Sequence, residues 1–307
     1  SKYAFPITDG LTSGVIFLEK PIAKKGLSLN SIFAYSSTKT EDLFPATSGE
    51  SINKGTSEYL SLGISYPLML KRNTELGFDI TTTIQNSHQD LYQDNVRSNN
   101  VSTDRIRAIR VGLNGRKSLA RSYNTARFLF SQGFEGWDDT LSNDQVKSNL
   151  DAKANFSTYK LDLSRQQFLG NGGVVLKLNA SGQISSTPLP TPEKFSFGGP
   201  DYGKGFANSH IFGDAGWSSS IQLSKNMYSK KGKTISPFIW LDYGSTDDLT
   251  GETREKSAST YGIGVGGNLN RDTTYEVSVG IPALDDSNPT KTGLDHSILK
   301  FNLGLKF

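Results

Sequence analysis

The chain has 307 residues, no cysteine and a formal net charge of +3. The lack of cysteine excludes disulfide bonds and thiolate metal sites, and the small net charge gives no reason to expect nucleic acid as a partner. The mean hydropathy is -0.42, and no apolar run reaches the length of about 18 residues that a membrane-spanning helix needs. A transmembrane β-barrel is still allowed, because its inner face is polar and its loops are long.

Apolar and polar side chains alternate with a period of two through most of the sequence, which predicts β-strands. Thirteen such segments can be counted along the chain. The first lies at 14–22 and alternates weakly. The apolar sets of the others contain, in chain order, Phe33, Leu62, Ile80, Val111, Phe128, Leu161, Leu178, Ile221, Ile239, Ile263, Val279 and Phe301. Opposite faces carry charges such as Arg110 and Lys177, which suit a water-filled lumen better than a dry core.

The connections between these segments alternate in length. The short ones are 23–26, 71–74, 120–124, 170–173, 228–234 and 270–272, and the long polar ones are 36–58, 86–105, 137–157, 185–216, 245–259 and 284–296. A soluble sandwich would have long loops at both ends, whereas an outer-membrane barrel has short periplasmic turns and long extracellular loops. The sequence therefore predicts an all-β fold, a transmembrane antiparallel β-barrel that covers residues 1–307.

The C-terminal segment has the clearest alternation, and its odd positions Leu299, Phe301, Leu303, Leu305 and Phe307 are all apolar. An apolar face on a terminal strand fits a sheet that meets lipid. Thirteen is nevertheless an odd number, and bacterial single-chain barrels have an even number of strands. Either at least one strand precedes residue 14, or the count is wrong by one.

The longest connection, 185–216, is glycine-rich around Lys204. One interpretation is a compact Ω-loop on the surface, and another is a loop that folds back into the lumen with Lys204 at its tip. A partner for Lys204 exists on the segment 235–244, where Phe238, Trp240 and Asp242 face inward. An inward carboxylate between aromatic rings is costly unless it is paired, so an ion pair between Lys204 and Asp242 is expected to dock the loop.

Enzyme chemistry finds little support. His88, His210 and His296 fall in predicted loops or loop ends, without the spacing of metal ligands, and are expected to be solvent-exposed. The glycines at 262–267 lack the strand–turn–helix context of a dinucleotide site. We therefore expect neither an enzyme nor a cofactor.

The loop carries a resemblance to a known family. Phe195 to Phe206, followed by Gly213-Asp214-Ala215-Gly216, resembles the sixth-loop motif of the two-partner secretion transporters, the hemolysin and filamentous-hemagglutinin secretion/activation proteins. Their superfamily includes the outer-membrane barrel-assembly insertase. Lys204-Gly205-Phe206 takes the place of the family's Arg-Gly-Tyr/Phe, and Trp240 to Gly244 resembles the inner-wall motif Phe-x-Asp-x-Gly.

The resemblance implies loop-docking or gating roles for Gly203, Lys204, Gly205, Phe206, Trp240, Asp242 and Gly244. It also implies an outer-membrane sorting signal in Leu303, Leu305 and Phe307. Family barrels have sixteen strands, eleven of them before the sixth loop, whereas eight are predicted here. The resemblance thus implies that residues 1–307 are an N-terminally truncated barrel. Three strands, a plug helix and two periplasmic polypeptide-transport (POTRA) domains would precede it.

The function that the resemblance implies is ATP-independent secretion of a hemolysin- or adhesin-type exoprotein across the outer membrane. The expected partners are this cargo, outer-membrane lipid and lipopolysaccharide, and the barrel-assembly machinery. Two alternatives remain open: a barrel-assembly or lipid-remodelling member of the same superfamily, and a passive diffusion porin or adhesin barrel.

Overall fold

A computed structural model of the chain describes residues 3–4, 7–8, 11–23, 26–42, 51–93, 96–97, 102–136, 147–230, 232–250, 255–287 and 292–305. Within these ranges there are thirteen strands of eight residues or more. They are β1 (Leu11–Pro21), β2 (Ser28–Asp42), β3 (Ser51–Lys71), β4 (Thr74–Gln93), β5 (Ser102–Leu119), β6 (Ser122–Gly133), β7 (Ser157–Leu169), β8 (Val174–Ser185), β9 (Ala215–Lys225), β10 (Lys233–Asp247), β11 (Glu255–Asn268), β12 (Thr273–Asp285) and β13 (Ile298–Leu305).

Each of these strands pairs antiparallel with its neighbours in the chain, from β1 to β13. With four short segments they form one sheet of seventeen strands. No register joins β13 to β1 among the residues that the structure describes. A separate two-stranded ribbon pairs Phe195–Phe197 with Ile211–Gly213.

The predicted division between an apolar and a polar face is confirmed. Large apolar side chains on alternate positions are solvent-exposed along the whole sheet, among them Phe33, Leu62, Leu161, Ile239, Ile263 and Phe301. We call this the outer face. Exposed apolar side chains arranged in this way suit contact with lipid. The inner face carries buried polar side chains instead, including Ser131, Ser220, Asp242 and Thr260.

Several strands are longer than the alternation predicts. The predicted loop 36–58 is mostly strand, because β2 continues to Asp42 and β3 begins at Ser51. The predicted loop 86–105 is also shortened, because β4 runs to Gln93 and β5 begins at Ser102. His88 therefore lies within β4 and not in a loop. Beyond the lipid both faces of a strand meet water, so backbone pairing continues without an apolar face to mark it.

Helical structure is limited, in the described ranges, to two 3₁₀ turns, Thr191–Glu193 and Leu294–His296. None of the described helices has the length and apolar character that crossing a membrane would require.

Candidate functional site

Residues 186–214, which connect β8 to β9, lie against the inner face of the sheet; we call them the inner loop. Its first part, 187–193, is the stem, and 198–206 is the tip. Glu193 of the stem contacts Arg110 of β5, while the tip contacts Asp242 of β10 and Lys300 of β13. One loop thus touches strands far apart in the sheet order, so the sheet curves around the loop.

Backbone geometry at the tip depends on glycine. Gly203 has a φ of +76° and Gly198 has a φ of +122°. Residues other than glycine rarely adopt positive φ values of this kind. The turn is closed by hydrogen bonds from the Gly198 N–H to the Tyr202 carbonyl at 3.2 Å and from the Phe206 N–H to the Gly203 carbonyl at 2.9 Å. This conformation of the tip brings Lys204 to the inner face of the sheet, which we also call the wall.

Lys204 and Asp242 are brought together by the structure. The Lys204 Nζ lies 3.6 Å from Asp242 Oδ1, and their side chains are 11% and 0% exposed. The other carboxylate oxygen, Oδ2, accepts hydrogen bonds from the backbone N–H groups of Gly203 at 2.9 Å and Lys204 at 3.1 Å. Asp242 Oδ1 itself has no hydrogen bond among the described residues. The ammonium therefore acts on Oδ1 through charge alone, whereas the backbone of the tip is bonded directly.

The Lys204 ammonium has a second neighbour in Trp240, whose ring centroid is 5.1 Å from Nζ. Trp240 is 4% exposed, and a cation over a desolvated indole face is stabilised by the ring quadrupole. A second lysine also contacts the tip, since Lys300 Nζ donates a hydrogen bond to the Phe206 carbonyl at 3.0 Å. The wall thus meets the tip with an acid, an aromatic ring and a second lysine.

Close approach of the tip to the wall depends on glycines on both sides. A Cβ on Gly205 would lie 1.9 Å from Thr260 Oγ1, and one on Gly280 would lie 2.6 Å from the Cα of Gly205. Gly244 leaves room for the ring of Phe197 in the same way. Phe197 and Phe206 are buried with Ile211 and Ala258 in one apolar cluster. Among the predicted docking residues, Gly203, Lys204, Gly205, Phe206, Trp240, Asp242 and Gly244 all lie at this contact.

Sequence reasoning missed a second ion pair. Arg110 donates two hydrogen bonds to the Glu193 carboxylate, from Nη2 to Oε1 at 2.6 Å and from Nη1 to Oε2 at 3.1 Å. The alternation predicts only that Arg110 is an inward charge, and it does not single out Glu193. Because an inward arginine needs a partner, the inward position of Arg110 was the signal that could have predicted this ion pair.

Asp214 and His210 also have defined contacts. Asp214 is fully buried and accepts hydrogen bonds from the backbone N–H groups of Leu189 at 2.7 Å and Leu249 at 2.9 Å.

The expectation that His210 is solvent-exposed was wrong. Its ring stacks on Phe206 at 4.3 Å, and its Nε2 lies 2.8 Å from Asp285 Oδ2. The reason is that the inner loop folds inward and carries His210 with it.

Of the residues predicted as a sorting signal, the structure describes the side chain of Leu303, which lies away from this site. Leu303 is 52% exposed on the outer face of β13. Leu305 is the last residue of that strand, with a side chain outside the described residues, and Phe307 is outside them altogether.

A model of the haemolysin secretion/activation protein family ShlB/FhaC/HecB matches residues 28–269. The chain belongs to this family. Its members are outer-membrane β-barrel proteins of two-partner secretion, so this ShlB/FhaC/HecB family member is an integral outer-membrane protein.

Solved structures with the same fold include CdiB from Escherichia coli, at a TM-score of 0.79 and 18% identity over 97% of this chain and 53% of that one. CdiB from Acinetobacter baumannii has a TM-score of 0.71 and 14% identity over 96% and 50%. BamA from Haemophilus ducreyi lacking POTRA domains 1–3 has a TM-score of 0.61 and 12% identity over 96% and 62%. The family member described here therefore spans about half the length of the CdiB structures. No curated protein matches it significantly.

Proposed function

We propose that this ShlB/FhaC/HecB family member forms the membrane part of a transporter that secretes a hemolysin- or adhesin-type exoprotein from the periplasm to the cell surface. The observation that carries the proposal is the tip of the inner loop, which meets a buried acid on the inner face through Lys204. A loop held inside the curved sheet by the contacts of Lys204 with Asp242 and by a small buried apolar cluster occupies the path that a polypeptide would take. Its release would open that path.

Polar side chains on the inner face support a water-filled path for the polypeptide. A cavity of about 730 Å³ is bounded by inner-face side chains such as Asn114, Asp162 and Lys177, and by Asp201 and Tyr202 of the tip. Burial, with nearby carboxylates as a smaller cause, raises the pKa of Tyr202 to about 12. The phenol, which is neutral at physiological pH even at its ordinary pKa, stays neutral and adds no charge to this passage. Such a lining suits an unfolded chain whose backbone must stay hydrated.

In this proposal transport needs no ATP, and folding of the exoprotein outside the cell draws the chain across the membrane. The long strands belong to a sixteen-stranded closed barrel, and POTRA domains encoded upstream recognise the cargo. Membership in a secretion family supports this architecture. Sequencing the coding region upstream of residue 1 tests it, since two POTRA domains are expected there and a larger number would favour barrel assembly.

The decisive experiment deletes residues 202–206 from the full native polypeptide and measures secretion of its exoprotein together with single-channel conductance of the purified protein. We expect the deletion to raise conductance and to impair secretion while the protein still reaches the outer membrane. A passive porin would conduct small ions with or without this segment. Unchanged conductance and unchanged secretion would refute the proposal.

A further inference from the structure

The stem and the tip of the inner loop differ in backbone stiffness. The stem contains Pro188, Pro190 and Pro192 at every second position. Each proline ring fixes its own φ and restricts the residue before it, so the stem has little freedom to bend. The tip contains Gly198, Gly199, Gly203 and Gly205, and glycine has the widest choice of backbone conformations. Any bending of the loop is therefore concentrated in the tip.

The two parts also differ in how they are bound to the wall. Arg110 and Glu193 form a two-bond fork with side chains 14% and 7% exposed. The guanidinium is itself held by Ser131 Oγ at 2.9 Å and Thr83 Oγ1 at 3.3 Å. A bidentate arginine–carboxylate pair fixes both distance and orientation. Its geometry resists sliding of the stem along β5.

Further contacts fasten the stem around this pair. The Thr191 N–H donates to Ser148 Oγ at 3.0 Å, and the Ser148 N–H donates to Asp104 Oδ1 of β5 at 3.2 Å. Leu189 is fully buried against Ile106, Ala108 and Phe156. The stem is thus part of the packed wall.

The tip is held differently. Lys204 Nζ reaches no closer than 3.6 Å to Asp242 Oδ1, and Oδ1 lacks a hydrogen bond among the described residues. Lysine is a point charge on a flexible chain and cannot form the fork that arginine forms. The tip is therefore held by one flexible cation, by backbone N–H groups of a glycine-rich segment and by the burial of Phe206, and it lacks the bidentate side-chain pair that fixes the stem.

We propose that Arg110 and Glu193 are positioning residues that keep the stem fixed, and that the tip is the part of the inner loop that is displaced when the channel opens. This inference rests on the proposed secretion function and specifies which part of the inner loop moves. The stem then acts as a fixed support from which the tip swings away from Asp242 and returns to it.

The test uses the full native polypeptide, into which pairs of cysteines are introduced; residues 1–307 contain none of their own. Ser148→Cys with Thr191→Cys joins the stem to its neighbouring loop without altering Arg110 or Glu193. Asp201→Cys with Asp162→Cys, at two residues that line one cavity, joins the tip to β7 and leaves Lys204 and Asp242 in place. Each pair is closed by a disulfide or a short bifunctional maleimide, and the reduced or untreated protein is the matched control.

Single-channel conductance and exoprotein secretion are measured for both pairs. We expect the stem cross-link to leave channel openings and secretion intact, and the tip cross-link to abolish both until it is reduced. Loss of openings with the stem cross-link would overturn the inference, and so would persistence of openings with the tip cross-link. Because conductance needs no cargo, it tests the inference even if the secretion function proves wrong.

A charge-reversal pair tests Arg110 directly. Arg110→Glu alone is expected to expose the stem to protease and to disturb the conductance levels, because two carboxylates would face each other. Adding Glu193→Arg should restore both protection and conductance. A failure of the second change to rescue the first would contradict the positioning role.

Discussion

Gly244 of β10 lies directly under the ring of Phe197 in the inner loop. A Cβ at this glycine would come within 2.3 Å of Phe197 Cδ2, and Phe197 is fully buried. The Phe197 ring therefore packs directly against the backbone of β10, and this contact is possible only because residue 244 lacks a side chain.

Gly244→Ala is accordingly predicted to push Phe197 out of position and weaken the docking of the inner loop, at a cost of about 1–3 kcal/mol from overpacking. Limited proteolysis of the loop in intact cells measures the effect. Gly77→Ala is the matched control, because Gly77 is an inner-face strand residue whose nearest neighbouring atom would be 3.9 Å from the new Cβ. Equal protease resistance in both variants would contradict the prediction.

Lys204→Ala is predicted to leave Asp242 buried without its cation. Removing one partner of a buried ion pair costs about 3–5 kcal/mol, so the tip should detach more often. Secretion and protease mapping of the loop are the measurements. Lys225→Ala, at an exposed position at the end of β9, removes one lysine without touching the site and should behave as the parent does.

Lys204→Arg is predicted to have the opposite effect. A guanidinium has a fork that can donate to Asp242 Oδ1, which has no hydrogen bond among the described residues. Docking should tighten, and channel openings should become rarer. Single-channel recording of this variant beside the parent decides the point, and more frequent openings would be the contrary result.

Asp214→Ala is predicted to destabilise the base of the inner loop, because the backbone N–H groups of Leu189 and Leu249 lose their acceptor. A buried unpaired donor costs about 1–3 kcal/mol. Urea unfolding followed by tryptophan fluorescence measures the loss. Asp214→Asn keeps one side-chain acceptor oxygen and should retain part of the stability; identical losses in the two variants would argue against this role of Asp214 as a hydrogen-bond acceptor.

His210→Phe and His210→Ala separate two contacts of one residue. Phenylalanine keeps an aromatic ring against Phe206 but loses the bond to Asp285, whereas alanine loses both. The hydrogen bond to a carboxylate should contribute about 1.5–3 kcal/mol. Unfolding midpoints should therefore fall in the order parent, His210→Phe, His210→Ala, and any other order would be inconsistent with the stacked geometry.

The sequence was sufficient for features that repeat locally. Phe301 and Ile263 could be assigned to the outer face because alternation is a property of neighbouring residues. Lys204 and Asp242 could be paired because each belongs to a short distinctive motif. The Arg110–Glu193 pair spans 83 positions, and neither residue is in a motif, so only the folded chain brings them together. The extension of β3 and β4 was missed because polar strands outside lipid have no apolar face.

Under the proposed function, the unequal strand lengths have a consequence for how a secreted chain would leave the protein. Strands β3 and β4 contain 21 and 20 residues, compared with 14 and 13 in β11 and β12. At about 3.3 Å per residue, the longer pair exceeds the shorter by roughly 23 Å along the strand. The described strands therefore extend farther at β3 and β4 than at β11 and β12, so an emerging polypeptide would have a wall of strand on one side and an open direction on the other.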